Sequence, residues 1–474
     1  MMRTTRMITL LLLAGLLGGC VYYNGMYNTK RLAGSARKAE RDGRTFEANN
    51  LWGQVITRAE SLIVRHPDSK YVDEALVLKG VALSRLNQCE AAVAPLGRVS
   101  LLPPDAEVTE EASLALGRCQ LQLGDPGVAE ILFARVENSE DPVRRRDARV
   151  LRARALRQTG RHQDALAALE GVEDPRAEGE RLLAFAGAQR RKEALALAES
   201  MLVRRDSTVI WDTVVVDVGR EDVATASALV DRLQRVPETT VALKAKLLLE
   251  DGVRLAGIDS ARAEGRLRQA SAADTAGDSG ERARLRLTRM TLRRAQSVSD
   301  LRPLTRELDA RVARKSTIAA DAGQLREAVG RVLTASDSAA AGAAQADLRL
   351  FLAGEVARDT LAAPMVAASI FRTIVETMPD SPYAPKAILA GKALDPVWGE
   401  SALPLLEERY AASPYVAMLH GFEPYGYQEL EDSLQTFALG GSGLVAPGGR
   451  RPGLGADSIR TQPGSRRPRR ALEP

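Results

Sequence analysis

One pattern recurs in this chain at intervals of 36 or 37 residues, and that recurrence constrains the fold more than any other feature. Laying residues 73–104 over 110–141 brings Gly80 onto Gly117, Ala92 onto Ala129, Leu96 onto Phe133 and Val99 onto Val136, each 37 positions apart. A third copy follows after 36 residues in Ala153, Leu156, Gly160, Ala165, Leu169 and Val172. An earlier one is visible in Leu32, Ala36, Gly43, Ala48, Trp52 and Val55. Within each copy apolar residues return every three or four positions, the period of a helix buried on one side. Aromatic residues make up only 4% of the chain, and Val214-Val215-Val216 is a rare β-branched run. The pattern therefore predicts an all-helical fold of stacked two-helix units. A small residue in the first helix (Gly80, Gly117, Ala153) and one in the second (Ala92, Ala129, Ala165) let the two approach closely. Gly124 and Gly160 make the turn between them.

This order of small and large residues resembles the tetratricopeptide-repeat family, whose unit is ~34 residues with a proline near the end of the second helix. Pro104 and Pro142 stand at or beside that place. The resemblance covers residues 32–172 well and returns where Gly354 and Gly391 are again 37 apart. It implies an all-α, right-handed solenoid of antiparallel helix pairs. The linking segment His66-Pro67-Asp68-Ser69-Lys70-Tyr71 recurs as Met378-Pro379-Asp380-Ser381-Pro382-Tyr383, and in reduced form as Ala412-Ser413-Pro414-Tyr415. Proline stops one helix, Asp or Ser caps the next, and the tyrosine packs into the joint. That linker is similar to those of BamD-like outer-membrane lipoproteins, and the resemblance implies protein partners in outer-membrane protein assembly.

The middle of the chain departs from the pattern. Gly219, Ala224, Ala228 and Pro237 keep one recognisable unit. Residues 243–255, 281–295, 301–312 and 318–333 read as helices without the full signature, with loops or caps at 272–280 and 336–344. The expected organisation is a signal peptide at 1–19, tetratricopeptide-like repeats at 20–205, diverged helical repeats at 206–345, further repeats at 346–437 and a disordered basic tail at 438–474. One continuous solenoid is the leading reading of the middle, and a break near 275 or 338 is the alternative.

Arg3 and Arg6 precede a run at 7–19 that is apolar or small throughout, too short to span a bilayer and laid out like a secretory signal. It ends Leu17-Gly18-Gly19-Cys20, which resembles the lipobox of bacterial lipoproteins. The resemblance implies acylation of Cys20, with palmitate-type chains, and a mature protein that begins there. Each buried methylene contributes ~0.8 kcal/mol, so two or more chains hold a protein on a membrane nearly permanently. Val21 is not the aspartate that retains such proteins in an inner membrane, so the expected location is the periplasmic face of an outer membrane. The net charge of +5 is unevenly distributed: residues 1–19 carry +2 and 446–474 carry +5, leaving 20–445 at −2. A slightly acidic body has no electrostatic footprint for nucleic acid. The tail, rich in Pro, Gly and Arg, reads either as an arm for anionic lipid or an acidic polymer, or as a solubilising terminus.

No pattern for a nucleotide loop, a zinc or calcium site or a nucleophile elbow is present, and His66, His162 and His420 have no ligand-spaced neighbours. The expectation is a protein with no metal, no cofactor and no catalysis. Beyond Cys20 the cysteines are Cys89 and Cys119, which in an oxidising compartment are either two buried thiols or one disulfide. Solenoids of this kind present a concave face made by the first helix of each hairpin. Helical spacing assigns to it Val81 and Arg85, then Leu114, Arg118 and Leu121, then Val150, Arg154 and Arg157. Such a face suits a peptide bearing carboxylates or a partner helix. The leading functional reading is a lipid-anchored scaffold for envelope proteins. The segment 23–30 also resembles the openings of repeat lipoproteins of secretion and gliding machinery, and a carrier of a small ligand or glycan is a further alternative.

Overall fold

The computed structural model describes residues 25–100, 106–204, 209–314, 316–422, and 427, 428, 431, 432 and 435. The signal-like segment with Cys20, and the Arg-rich tail from 438, lie outside the described residues. Among those described there are twenty-two α-helices and no strand, and consecutive helices pack in pairs. The chain divides into two compact units, Met1–Arg284 and Leu285–Pro474. No described helix is long and apolar enough to cross a membrane.

The first unit runs through seven pairs, from Tyr27–Arg41 with Thr45–Arg65 to Val241–Leu255 with Ser260–Ala273. Its early turns share one device. Gly43, Asn87, Gly124, Gly160 and Gln189 each take a positive φ, between 57° and 85°. The next residue then donates its N–H to the carbonyl five positions back: Arg44 to Ala39, Gln88 to Leu83, Asp125 to Gln120, Arg161 to Leu156 and Arg190 to Phe185. This closes the last turn of the first helix and reverses the chain.

The small residues do what the repeat requires. A Cβ placed on Gly117 would stand 2.5 Å from Phe133 Cε1, and one on Gly80 would collide with Leu96. Those two pairs are the same pair one repeat apart. In the second unit Gly354 meets Phe371 in the same way, at 2.5 Å from Cε1. Phe371 and Tyr383 both lie 5.4 Å from the Phe351 ring, forming the centre of that unit's core.

The linkers also repeat as structures. Ser69, Ser381 and Ser413 each accept, on Oγ, the backbone N–H of the tyrosine two residues on, at 3.1–3.4 Å. Tyr383 and Tyr415 are each only 2% exposed, so the ring locks the joint while the hydroxyl of serine satisfies the chain turning around it. Ser139 does the same for Asp141, at 3.2 Å, in a linker that has Pro142 but no tyrosine.

Cys89 opens the helix Cys89–Ser100 and Cys119 lies one turn before the end of Ala106–Gln122, in the neighbouring antiparallel helix. The structure joins them in a disulfide with Cα atoms 5.0 Å apart.

The middle differs from expectation in two places. Residues 336–340 are helical, because Ala319–Ala340 continues seven residues past the expected stop at 333. Alanine favours the helix, Ala335 is buried beneath the continuation and Arg302 pairs with Asp337 at 2.5 Å. Residues 278–280 likewise open the helix Asp278–Arg294, and an unexpected helix, Ser260–Ala273, precedes it. Here Gly252 meets Leu267 as glycine meets a large residue in the other hairpins, and a polar cluster lies beside that contact. Asp251, fully buried, accepts from Ser227 Oγ at 2.7 Å and pairs with Arg254 and Arg266, each at 2.9 Å.

Two stability changes follow from these contacts. Gly117→Ala should cost ~1–3 kcal/mol in urea unfolding through overpacking against Phe133, and Phe133→Leu in the same chain should recover part of it. Closing the 30-residue separation between Cys89 and Cys119 should contribute ~3–4 kcal/mol in the chain-entropy view. Reduction should therefore lower the melting temperature of the wild type but leave that of the Cys89→Ser/Cys119→Ser double variant unmoved.

Candidate functional site

The helix Pro142–Gln158 carries seven arginines and one carboxylate, Asp147. Asp141 starts it, accepting the N–H groups of Val143 at 2.7 Å and Arg144 at 3.3 Å, with Pro142 at the first helical position. Ala148, Val150, Ala153, Ala155 and Leu156 bury one stripe of it. The arginines are left on two remaining faces with opposite fates.

The first face is turned toward neighbouring first helices. Asp147 receives Arg118 from Ala106–Gln122 at 3.1 Å and Arg176 from Pro175–Gly187 at 2.7 Å. Glu180, only 4% exposed, receives Arg154 at 2.6 Å and Arg157 at 3.1 Å, and Arg157 also pairs with Glu221. Burial, with the Arg85 charge beside it, pulls the Arg118 guanidinium down from its ordinary value, although an arginine stays protonated. Arg85 itself lies 3.6 Å from Glu40.

This arrangement corrects the expected groove. Val81, Leu114 and Val150 are 6%, 5% and 2% exposed, and belong to the core. Leu121 is half-buried against the cluster around Phe133 and Val136. Arg118, Arg154 and Arg157 are paired within the chain and do not stand free for a partner. The reason is physical: helical spacing shows the stripe that faces the hairpin partner, but the next hairpin covers the residues beside that stripe.

The second face was missed. Arg145, Arg149 and Arg152 lie at successive turns on one side of the helix. With Arg161 they line a cleft of about 530 Å3 whose apolar wall includes Leu156, Ala167 and Ala168. Arg152 is held by Glu130 at 2.8 Å and by Glu137, and Arg161 by Asp164 at 2.7 Å. Arg145 and Arg149 make no ion pair among the described residues, although the Arg145 charge also acts on Asp141. Arg145 donates to the Ser139 carbonyl at 2.7 Å. Arg149 donates to the carbonyls of Ala168 at 2.9 Å and Glu170 at 2.6 Å, satisfying the open end of His162–Ala168. The signal available in the sequence was the spacing 145, 149, 152 in a helix with one acid.

Among the described residues no three potential metal ligands come together. His162 Nδ1 lies 3.9 Å from Glu221, and His420 Nε2 lies 3.6 Å from Glu407.

The paired face makes stability depend on pH. Asp174 caps Pro175–Gly187, and the Arg176 side chain beside it holds its carboxyl below the usual range. Its contribution is complete above the unfolded value near ~3.9 and is lost as pH falls through the lower folded value. Asp174→Asn keeps a capping side chain but removes that charge. The variant should be less stable than wild type at pH 6, and the difference should shrink in urea titrations below about pH 4.

No family model matches the chain, and no curated protein matches it significantly in sequence. Eight solved chains match in structure. One is a tetratricopeptide repeat protein from Parabacteroides merdae, 14% identical, covering 52% of this chain and 92% of that one at a TM-score of 0.34.

Proposed function

We propose that this protein is a lipid-anchored scaffold that holds partner proteins on its helical repeats, tethered through Cys20 at the periplasmic face of an outer membrane. The observation that carries the scaffold reading is the arginine-lined cleft. The first-helix arginines of this region are charge-paired with carboxylates of the chain, whereas the cleft offers two guanidiniums without an ion pair. Such groups suit recognition of another chain's carboxylates. The tether is supported by Leu17-Gly18-Gly19-Cys20, and the setting in outer-membrane protein assembly by the three serine–tyrosine linkers, similar to those of BamD-like lipoproteins.

Cys20→Ala should abolish incorporation of a fatty-acid analogue and release the protein from the membrane fraction. Unchanged labelling would remove the tether. In cells, a photo-reactive residue replacing Asn138, on the rim of the cleft, should give a discrete adduct with another protein, and one replacing exposed Arg262 should not. No adduct at 138, or the same adducts at both positions, would remove the scaffold reading at this site.

A further inference from the structure

We propose that the cleft beside Pro142–Gln158 is a receptor site for an acidic, partly apolar peptide segment, with Arg145 and Arg149 as the groups that take its carboxylate. The inference rests on the scaffold reading and names its partner's chemistry.

Charge sets the ligand class. The cleft is lined by four arginines, Arg145, Arg149, Arg152 and Arg161, and two carboxylates, Glu137 and Asp164, while Glu130 pairs with Arg152 and the Arg145 charge also acts on Asp141. A carboxylate would meet the two arginines that no ion pair occupies. A phosphate dianion would meet Glu137 and Asp164, which line the same space. Geometry agrees with charge. A guanidinium has five N–H donors in a fixed fork. Arg149 spends two on the carbonyls of Ala168 and Glu170, and Arg145 spends one on Ser139. Those backbone bonds hold both forks in place without neutralising them, so less freedom is lost when an anion binds. The neighbouring wall of Leu156, Ala167 and Ala168 gives an apolar side chain somewhere to lie. A volume of about 530 Å3 falls within the range that encloses a small ligand, or here a few residues of a peptide.

The test uses the full lipidated protein in detergent and a fluorescein-labelled peptide alternating leucine with glutamate. Fluorescence anisotropy should show saturable binding, at least about tenfold weaker for the peptide with glutamine in place of glutamate, as loss of a charge-assisted pair requires. Arg145→Gln/Arg149→Gln should weaken binding at least tenfold. Because Arg149 also closes a helix end, Arg145→Gln alone is the second variant; with unchanged circular dichroism it should still weaken binding severalfold. Arg118→Gln, on the paired face, should bind as wild type. Equal binding of the glutamine peptide, or unimpaired binding by Arg145→Gln and the double variant alike, would overturn the assignment. So would competition by inorganic phosphate or by anionic phospholipid vesicles as strong as by unlabelled acidic peptide, which would make the site a phosphate or lipid site. Failure of the peptide with the Asn138 adduct intact would sink the carboxylate assignment alone, whereas loss of that adduct would sink the scaffold reading at this cleft.

Discussion

The structure depends on a small residue in one helix meeting a large one in the next. Gly117 against Phe133, Gly80 against Leu96 and Gly354 against Phe371 leave no space for a single added carbon. A packing distance fixed this tightly sets how each hairpin presents its flanks to the following one, since close-packed interiors transmit rather than absorb changes of a methylene. The turns reinforce it: a left-handed residue at Gly43, Asn87, Gly124, Gly160 or Gln189 ends the first helix at an equivalent point in each unit. The disulfide between Cys89 and Cys119 then ties the second helix of one hairpin to the first helix of the next, a joint that the glycine contacts do not span.

That spacing decides what the arginines do. First helices lie close enough for Asp147 to reach Arg118 on one side and Arg176 on the other, and for Glu180 to collect Arg154 and Arg157. Removing one member of a well-buried pair commonly costs ~3–5 kcal/mol, because the other charge stays buried and uncompensated. Glu180, with its side chain 5% exposed, is in that position, whereas the more exposed Arg154 contributes little by itself. The ladder therefore specifies how neighbouring hairpins register, a use of charge compatible with a small net gain in stability. On Pro142–Gln158, the arginines without an ion pair, Arg145 and Arg149, have backbone carbonyls as partners, which orient a guanidinium without cancelling it.

Much of the first unit was legible because its repeats obey one rule. The spacing of Gly80, Ala92 and Leu96 and their copies gave the helix pairs, and the Pro-Asp-Ser-x-Tyr linkers gave the joints. Serine is the capping residue only at Ser413, whereas Tyr71 and Tyr383 hold the N-cap positions of the other two without a side-chain cap. The middle was less legible because its repeat contact, Gly252 against Leu267, is flanked by buried polar atoms. Asp251, Ser227 and Arg266 form a buried, hydrogen-bonded ion cluster, and Gly219 accommodates the Arg254 side chain where Gly80 and Gly117 meet an apolar one. A search for apolar periodicity scores those residues as surface. The 336–340 segment was misread for the opposite reason, since serine and alanine suggest a linker until Asp337 is seen to pair with Arg302.

The candidate site was illegible for a reason that applies to any stacked repeat. Periodicity assigns each residue an angle about its own helix axis, but whether an arginine finds a carboxylate depends on a helix some 30 residues away. Arg118 and Asp147 are 29 apart, Arg154 and Glu180 are 26 apart, and each pair joins different hairpins. Arg145 and Arg149 look no different in the sequence, yet their neighbours are the ends of the linker at Ser139 and of the short helix His162–Ala168, which offer carbonyls. That helix, seven residues against the seventeen of its partner, runs back along the later turns of Pro142–Gln158 and ends beside Arg149, so the earlier turns are less fully covered. Repeat regularity builds the frame, and a shortened second helix exposes charge upon it.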